Sequence, residues 1–372
     1  MRTCRVIVIG GYGFFGRRLV ERLARHSGLH VVATGRSAAL GQALVEMLRP
    51  SAVAQVGSAT LDVDALGLAS ELAALAPDVV VHAAGPFQGR QYLVAQACIA
   101  IGAHYIDLAD AREFVAGIGC LDAEACAAGL AVISGASSVP ALSSTVADHL
   151  AQGLARVENI DIGISPGNRT DRGLSTVRAI LSYCGKPLPP TRAASPTFGW
   201  SGSRRHTYPD PVGSRLLSPC DVPDLALLAS RYAGSPTVSF GAGLELPLLH
   251  RGMNVMAMLT RLGIVADWSV HARALKRVAD WSRTLGSDAG AMHVSVTGET
   301  AQGIRCTRTW HLVATAGDGP YVPTLAAAAL VRRLLRGDAS LVGARPCVGL
   351  LSLEDFASES EGLHIDMVEV ER

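Results

Sequence analysis

Tyr105, Asp107 and Asp110 follow a short apolar run and are the chain's best-placed candidates for acid and base chemistry. A carboxylate at the carboxyl end of a strand can orient a substrate or hand it a proton. Asp107 equally suits a cap on the helix that follows. His82 lies inside an apolar run and reads as a core histidine. Arg169 and Arg172 in one irregular stretch, and Arg204 and Arg205 in another, have the donor geometry to clamp a carboxylate or phosphate. They equally suit solvated loops. Other chemistries are excluded by residue type. Lys186 and Lys276 are the only lysines, no tyrosine is followed by lysine four positions later, and neither G-x-S-x-G nor H-E-x-x-H occurs.

A second set of residues is spaced for binding rather than reaction. Gly10, Gly11, Tyr12, Gly13, Phe14, Phe15 and Gly16 follow a β-branched run, with Gly10, Gly13 and Gly16 spaced G-x-x-G-x-x-G. Glycines so placed permit a tight turn, close approach of a pyrophosphate and tight packing of the next helix, whose N-terminus faces the phosphates. After the next strand come Gly35, Arg36 and Ser37, where an NAD-binding chain places an acidic residue against the ribose hydroxyl. An arginine there suits a 2'-phosphate, so NADP is the expected cofactor. Asp62, just past a further strand, suits either the adenine amino group or a helix cap. Ala83, Ala84, Gly85, Pro86 and Phe87 leave the fourth strand as a loop of small residues where the nicotinamide half belongs. Phe87 suits either that ring or plain core packing.

These residues need a frame. Strands over 4–9, 30–34, 52–56, 78–83, 105–107 and 130–133 alternate with helical periodicity, which implies an α/β doubly wound Rossmann sheet. From 141 the alternation stops. A strand over 158–164 and a hairpin over 292–297 and 304–314 imply a second α+β domain with a largely antiparallel sheet. The region 185–224 is rich in Pro, Gly, Ser and Arg and reads as a lid, binding loop or insertion. The expected division is 1–140, 141–319, and a C-terminal segment 320–372 packing back on the Rossmann domain, with the substrate between the domains.

Composition narrows the partners. At 372 residues, two domains are expected. Lys and Arg number 33 against 32 Asp and Glu, which gives no basis for a polyanion partner, so nucleic acid is not expected. The eight cysteines show no C-x-x-C pair or zinc spacing, so no metal is expected and most should be small buried apolar residues. No apolar run suits a membrane span and no leader-like segment opens the chain, so a cytoplasmic, reduced protein is expected.

Several of these stretches together resemble the saccharopine dehydrogenase-like oxidoreductases: residues 10–16, Gly35 with Arg36, Asp62, 82–87, Tyr105 to Asp107, and 135–140. The ending, 326–337 and 343–350, is also similar. The resemblance implies an NADP-binding domain, a C-terminal segment returning to it, and pairing of two copies through the second domain. It implies hydride transfer to or from an imine, an amino-acid-like adduct or an activated C=C bond of a small-molecule substrate. Two alternatives remain open on the residues alone: a noncatalytic NADP-binding sensor or scaffold, and a nonredox epimerase with bound cofactor.

Overall fold

The computed structural model describes residues 3–188 and 196–371. They form two compact units, one of residues 1–142 with 321–361 and the other of 143–320 with 362–372.

Six strands come first: β1 Cys4–Ile9, β2 Leu29–Gly35, β3 Gln55–Thr60, β4 Val79–His82, β5 His104–Asp107 and β6 Ala131–Ser134. The second unit supplies β7 Leu154–Ser165, β8 Arg204–Thr207, β9 Ser214–Pro219, β10 Thr237–Ala242, β11 Gly290–Thr300 and β12 Arg305–Ala314. The C-terminal part adds β13 Gly343–Pro346 and β14 Ile365–Glu371.

The first sheet has the order β13-β6-β5-β4-β1-β2-β3, parallel throughout. Its central strands β1 and β4 carry the apolar runs V-I-V-I and V-V-V, buried over 6–9 and 79–81, as a sheet covered on both faces requires. Strand order reverses across β1 and β4, so their carboxyl ends open the crevice in which doubly wound sheets bind ligands. The edge strand β3 lies at Gln55–Thr60 rather than 52–56. With one neighbour and the sequence Q-V-G-S-A-T, it carries almost no apolar run to mark it.

The C-terminal part of this unit is tied to its start. The carboxylate of Glu359 is fully buried and pairs with Arg332 Nε at 2.6 Å and His26 Nε2 at 3.4 Å. Arg22 donates to the Glu361 carbonyl.

The second sheet has the order β14-β12-β11-β7-β10-β9-β8 and is antiparallel except for the β7 and β10 pair. The expected fold class is therefore found in both units. Strand alternation divides this sheet into an apolar face, with Ile160, Ile162, Val294, Val296 and Leu312 buried, and a polar one carrying Asp161, His293 and His311.

Two expectations about segments are corrected. The 185–224 region is not irregular throughout, because 204–219 forms the β8 and β9 hairpin; its part over 189–195 lies outside the described residues. The final strand β14 belongs to the second sheet, paired with β12, rather than to the Rossmann unit with the rest of 320–372. Of the eight cysteines, Cys98, Cys184, Cys220 and Cys347 are buried and Cys120 and Cys126 exposed, fewer inside than expected. No helix among the described residues is long and apolar enough to cross a membrane.

Candidate functional site

The glycine turn is built so tightly that its sequence is dictated. Gly10 has φ +76°, and a Cβ there would lie 3.0 Å from the Ala84 side chain. A Cβ on Gly16 would fall 2.0 Å from the Gly10 carbonyl oxygen, and one on Gly13 2.9 Å from the same atom. Gly11 meets Ala33 at 2.7 Å on β2. The turn is closed by the amides of Gly10 and Gly11, both donating to the Thr34 carbonyl at 2.8 and 2.9 Å. The helix Phe14–Leu23 then starts from Gly13 with no side-chain cap. The first amides of a helix have no acceptor within it, and with no side-chain cap here they are the donors that can receive a phosphate. The residues present thus fit a dinucleotide.

Tyr12 links the turn to the end of β2. Its hydroxyl accepts from the Ser37 amide. A Cβ on Gly35 would lie 2.4 Å from that hydroxyl, so the glycine before Arg36 is required by the ring that crosses it. Ser37 caps the helix Ala38–Leu48 through the Leu40 amide at 3.4 Å. Arg36 is exposed and has no ion-pair partner among the described residues. Asp62 accepts from the Asp64 amide at 3.2 Å in a local turn. The next helix begins only at Leu68, so Asp62 does not cap it.

The loop Ala83 to Phe87 sits beside the turn, with the Ala83 amide bonded to the Ile9 carbonyl at 2.9 Å. Ala83, Ala84, Gly85 and Pro86 are half-buried. Phe87 is buried against His82 and Phe114, ring centroids 4.9 and 5.3 Å away. Its contacts are those of core packing.

Tyr105, Asp107 and Asp110 come together at the carboxyl end of β5, in distinct environments. Asp107 is fully buried and does not cap the following helix, which starts at Arg112. One oxygen accepts from the amides of Gly135 at 2.8 Å and Ala109 at 3.0 Å and from Ser134 Oγ at 3.0 Å. The carboxylate therefore ties the ends of β5 and β6. Burial pushes its pKa up to about 6, while the Gly135 and Ala109 amides, Ser134 and Tyr105 hold it from rising further. Tyr105 is buried two residues before Asp107 on β5, and its hydroxyl lies 3.3 Å from His82 Nδ1. Burial lowers His82 to about 4, so the imidazole is neutral near pH 7. Asp110 is half-buried and accepts from Gln88 Nε2 at 3.2 Å, linking the loops after β4 and β5.

The four arginines are dispersed. Arg204 and Arg205, adjacent on β8, point to opposite faces. Arg204 reaches Asp161 at 2.6 Å and the Ile162 carbonyl at 3.2 Å, while the exposed Arg205 reaches Ser214 Oγ at 3.2 Å. Arg169 is exposed, its backbone held by Ser287 and Arg283. Burial lowers the pKa of the Arg172 guanidinium, opposed mainly by nearby Asp280.

Arg204 enters a polar nest that the sequence reasoning missed. Asp161 on β7 also accepts from Ser239 Oγ at 2.5 Å and lies 3.2 Å from His293 Nε2. His293 Nδ1 lies 3.0 Å from the Tyr208 hydroxyl. The His206 ring stacks on His293 at 3.6 Å and 4°, and its Nε2 lies 3.1 Å from His311 Nε2. Burial, with the two neighbouring imidazoles, holds His206 down to about 3. Room for the nest comes from Gly163, where a Cβ would strike His293 at 2.4 Å. Its signal was present in the polar phase of the hairpin, since His293 and His311 are directly paired across β11 and β12. Pairing the hairpin with β7 and folding β8 over it, however, are long-range events.

The model of the saccharopine dehydrogenase NADP binding domain family matches residues 6–133. No curated protein matches this sequence. Among solved structures, apo saccharopine dehydrogenase (L-Glu forming) from Saccharomyces cerevisiae is similar over 99% of this chain and 100% of that one, at 15% identity and a TM-score of 0.68. A homospermidine synthase from Legionella pneumophila, solved with NAD, is similar over 99% of this chain and 91% of that one, at 10% identity and a TM-score of 0.58. At such identities the likeness is one of fold, and it extends through both units.

Proposed function

We propose that the protein is an NADP(H)-dependent oxidoreductase of the saccharopine dehydrogenase-like family, a reading supported by the family match over residues 6–133. Its substrate class is an imine, an amino-acid-like adduct or an activated C=C bond. The observation that carries the reading is the uncapped helix start behind a turn with no room for a Cβ at Gly16.

When bound, the dinucleotide supplies a hydride to the acceptor carbon. The turn at Gly10 to Gly16 holds the pyrophosphate. Arg36, exposed at the end of β2, pairs with the 2'-phosphate, and Ser37 and Gly35 let that phosphate approach. Asp62 borders the adenine end. Residues Ala83 to Phe87 form the floor beneath the reacting ring, a floor held in place by Asp110 through Gln88. Asp107 and Tyr105 act as positioning residues at the ends of β4 to β6, while Asp110, the less buried carboxylate, faces substrate. Of the four arginines expected to meet an anion, Arg204 is held by Asp161, while Arg169 and Arg205 are exposed. Pairing of two copies is carried by the family resemblance.

The test is transfer of tritium from C4 of labelled NADPH to a panel of oxo-acid and amine pairs and unsaturated thioesters. Label in a product supports the reading. Tight NADPH binding with no transfer to any class overturns the oxidoreductase assignment, and no dinucleotide affinity overturns the site itself. Arg36→Ala should weaken NADP(H) binding by roughly tenfold or more, the value of a charge-assisted bond, and leave NAD(H) binding unchanged. An equal loss for both dinucleotides would remove Arg36 from the 2'-phosphate.

A further inference from the structure

One stretch of the second unit is built unlike the rest of the surface. Nine of the 18 large apolar side chains exposed among the described residues fall between positions 248 and 285. Single exposed apolar residues are ordinary, whereas their concentration in one stretch marks an interaction surface.

The helix Pro247–Arg261 carries Leu248, Arg251, Val255 and Met258 on one face at i, i+3, i+7 and i+10 spacing, and Leu262 continues it just past the end. All five are exposed. The turn that follows exposes Ile264 at 65% and Val270 at 75%. On the next helix, Ala272–Trp281, Arg273, Arg277 and Trp281 share the outer face, with Trp281 88% exposed. The opposite side of the first helix is satisfied within the unit. His250 is buried and bonds to Ser203 and Ser218, and the Met256 carbonyl accepts from the Trp268 indole.

Charge identifies the occupant. Residues 247–285 hold six Arg and Lys against two Asp, a net of +4 in a chain of net +1, which leaves −3 for the remainder. Lys276 is neutralised by Asp171 and Asp280, whereas Arg251, Arg273 and Arg277 have no ion-pair partner among the described residues. A second copy laid on this face would set the unpaired Arg251, Arg273 and Arg277 of one copy against the same cations of the other. An anionic bilayer surface matches both properties at once: Leu, Val, Met and Trp enter the boundary between headgroups and acyl chains, and the arginines reach the phosphates alongside.

We propose that the helical segment 247–285 docks this protein peripherally onto anionic membrane. The proposal stands apart from the identity of the reaction, because the nucleotide turn lies in the other unit.

The test is flotation of the full chain, saturated with NADPH, on vesicles of phosphatidylcholine with and without phosphatidylglycerol. Flotation is expected on the anionic vesicles only and should fall steeply as salt is added. The double variant Met258→Glu, Leu262→Glu should lose it at least tenfold. Arg273→Gln with Arg277→Gln should reduce it by roughly fivefold per charge removed. NADPH affinity and thermal midpoint, unchanged in both variants, report that the fold is intact. Failure of the wild-type chain to float on anionic vesicles overturns the proposal, as does equal flotation on neutral vesicles. A concentration-dependent dimer abolished by Met258→Glu, Leu262→Glu, with no vesicle binding, would assign the face to a second copy instead.

Discussion

At the scale of single residues, the nucleotide turn and the strand-end carboxylates have different physical origins. Gly16 is constrained by sterics alone, since its missing Cβ would overlap the Gly10 carbonyl oxygen at 2.0 Å. Gly16→Ala should therefore shift the turn away from its phosphate-ready form, lower the thermal midpoint and reduce NADPH affinity by at least tenfold in a fluorescence titration. An unchanged affinity would show that the turn relaxes freely and does not shape the site. Asp107 is constrained by electrostatics. Its pKa rises on folding from an ordinary 3.8 to about 6, so the folded state holds the proton more tightly than the unfolded chain. That contribution is complete below about pH 4 and is lost as pH climbs to about 6, after which it is flat. Asp107→Asn keeps the acceptor oxygen for Gly135 and Ala109 and removes the titration. In urea denaturation, the stability of wild type relative to this variant should fall by about 3 kcal/mol between pH 4 and 6. A pH-independent difference would sink this account of the carboxyl group.

Secondary structure elements act here mainly as aiming devices. Parallel pairing of β4, β5 and β6 brings His82, Tyr105, Asp107 and Ser134 to one end of the sheet, where His82 meets the Tyr105 hydroxyl and Ser134 donates to Asp107. In the second sheet, strand alternation collects Asp161, His293 and His311 on the face opposite the apolar core. Helix starts differ by role. The helix after the glycine turn is uncapped, whereas Leu353–Ser360 begins with a capping box between Ser352 and Asp355. Ser352→Ala should cost about 1 kcal/mol of stability by chemical denaturation and leave NADPH binding untouched. A loss of cofactor affinity would mean that this C-terminal helix serves the nucleotide unit by more than packing.

For the whole molecule, the decisive property is that the residues matched by the NADP binding domain model, 6–133, all fall within one compact unit. Ligand that binds the folded state alone stabilises it by mass action, by about 2.7 kcal/mol at a hundredfold excess over Kd. Hydrogen exchange with NADPH present should slow at residues 10–16, 35–37 and 83–87, whereas sheet strands β11 and β12 should be protected by folding alone. Equal added protection across both sheets would place dinucleotide contacts in both units.

What could be read from the sequence was what is local. The glycine spacing, the Val and Ile runs and the Gly35 and Arg36 pair announce a Rossmann unit, because turn sterics and buried parallel strands leave their mark within a few residues. The antiparallel hairpin of the second unit was legible for the same reason. Edge strand β3 was expected about three residues early and the β8 and β9 hairpin was not foreseen, since exposed short strands carry little periodicity. Only the tertiary structure decided that Tyr12 crosses Gly35, that Asp107 ties two strand ends rather than capping a helix, that Arg204 and Arg205 part company, and that β14 closes the second sheet. It also assembled the Asp161 and histidine nest from five strands distant in sequence. Each of these depends on which distant backbone stands alongside, a long-range outcome that no local pattern encodes.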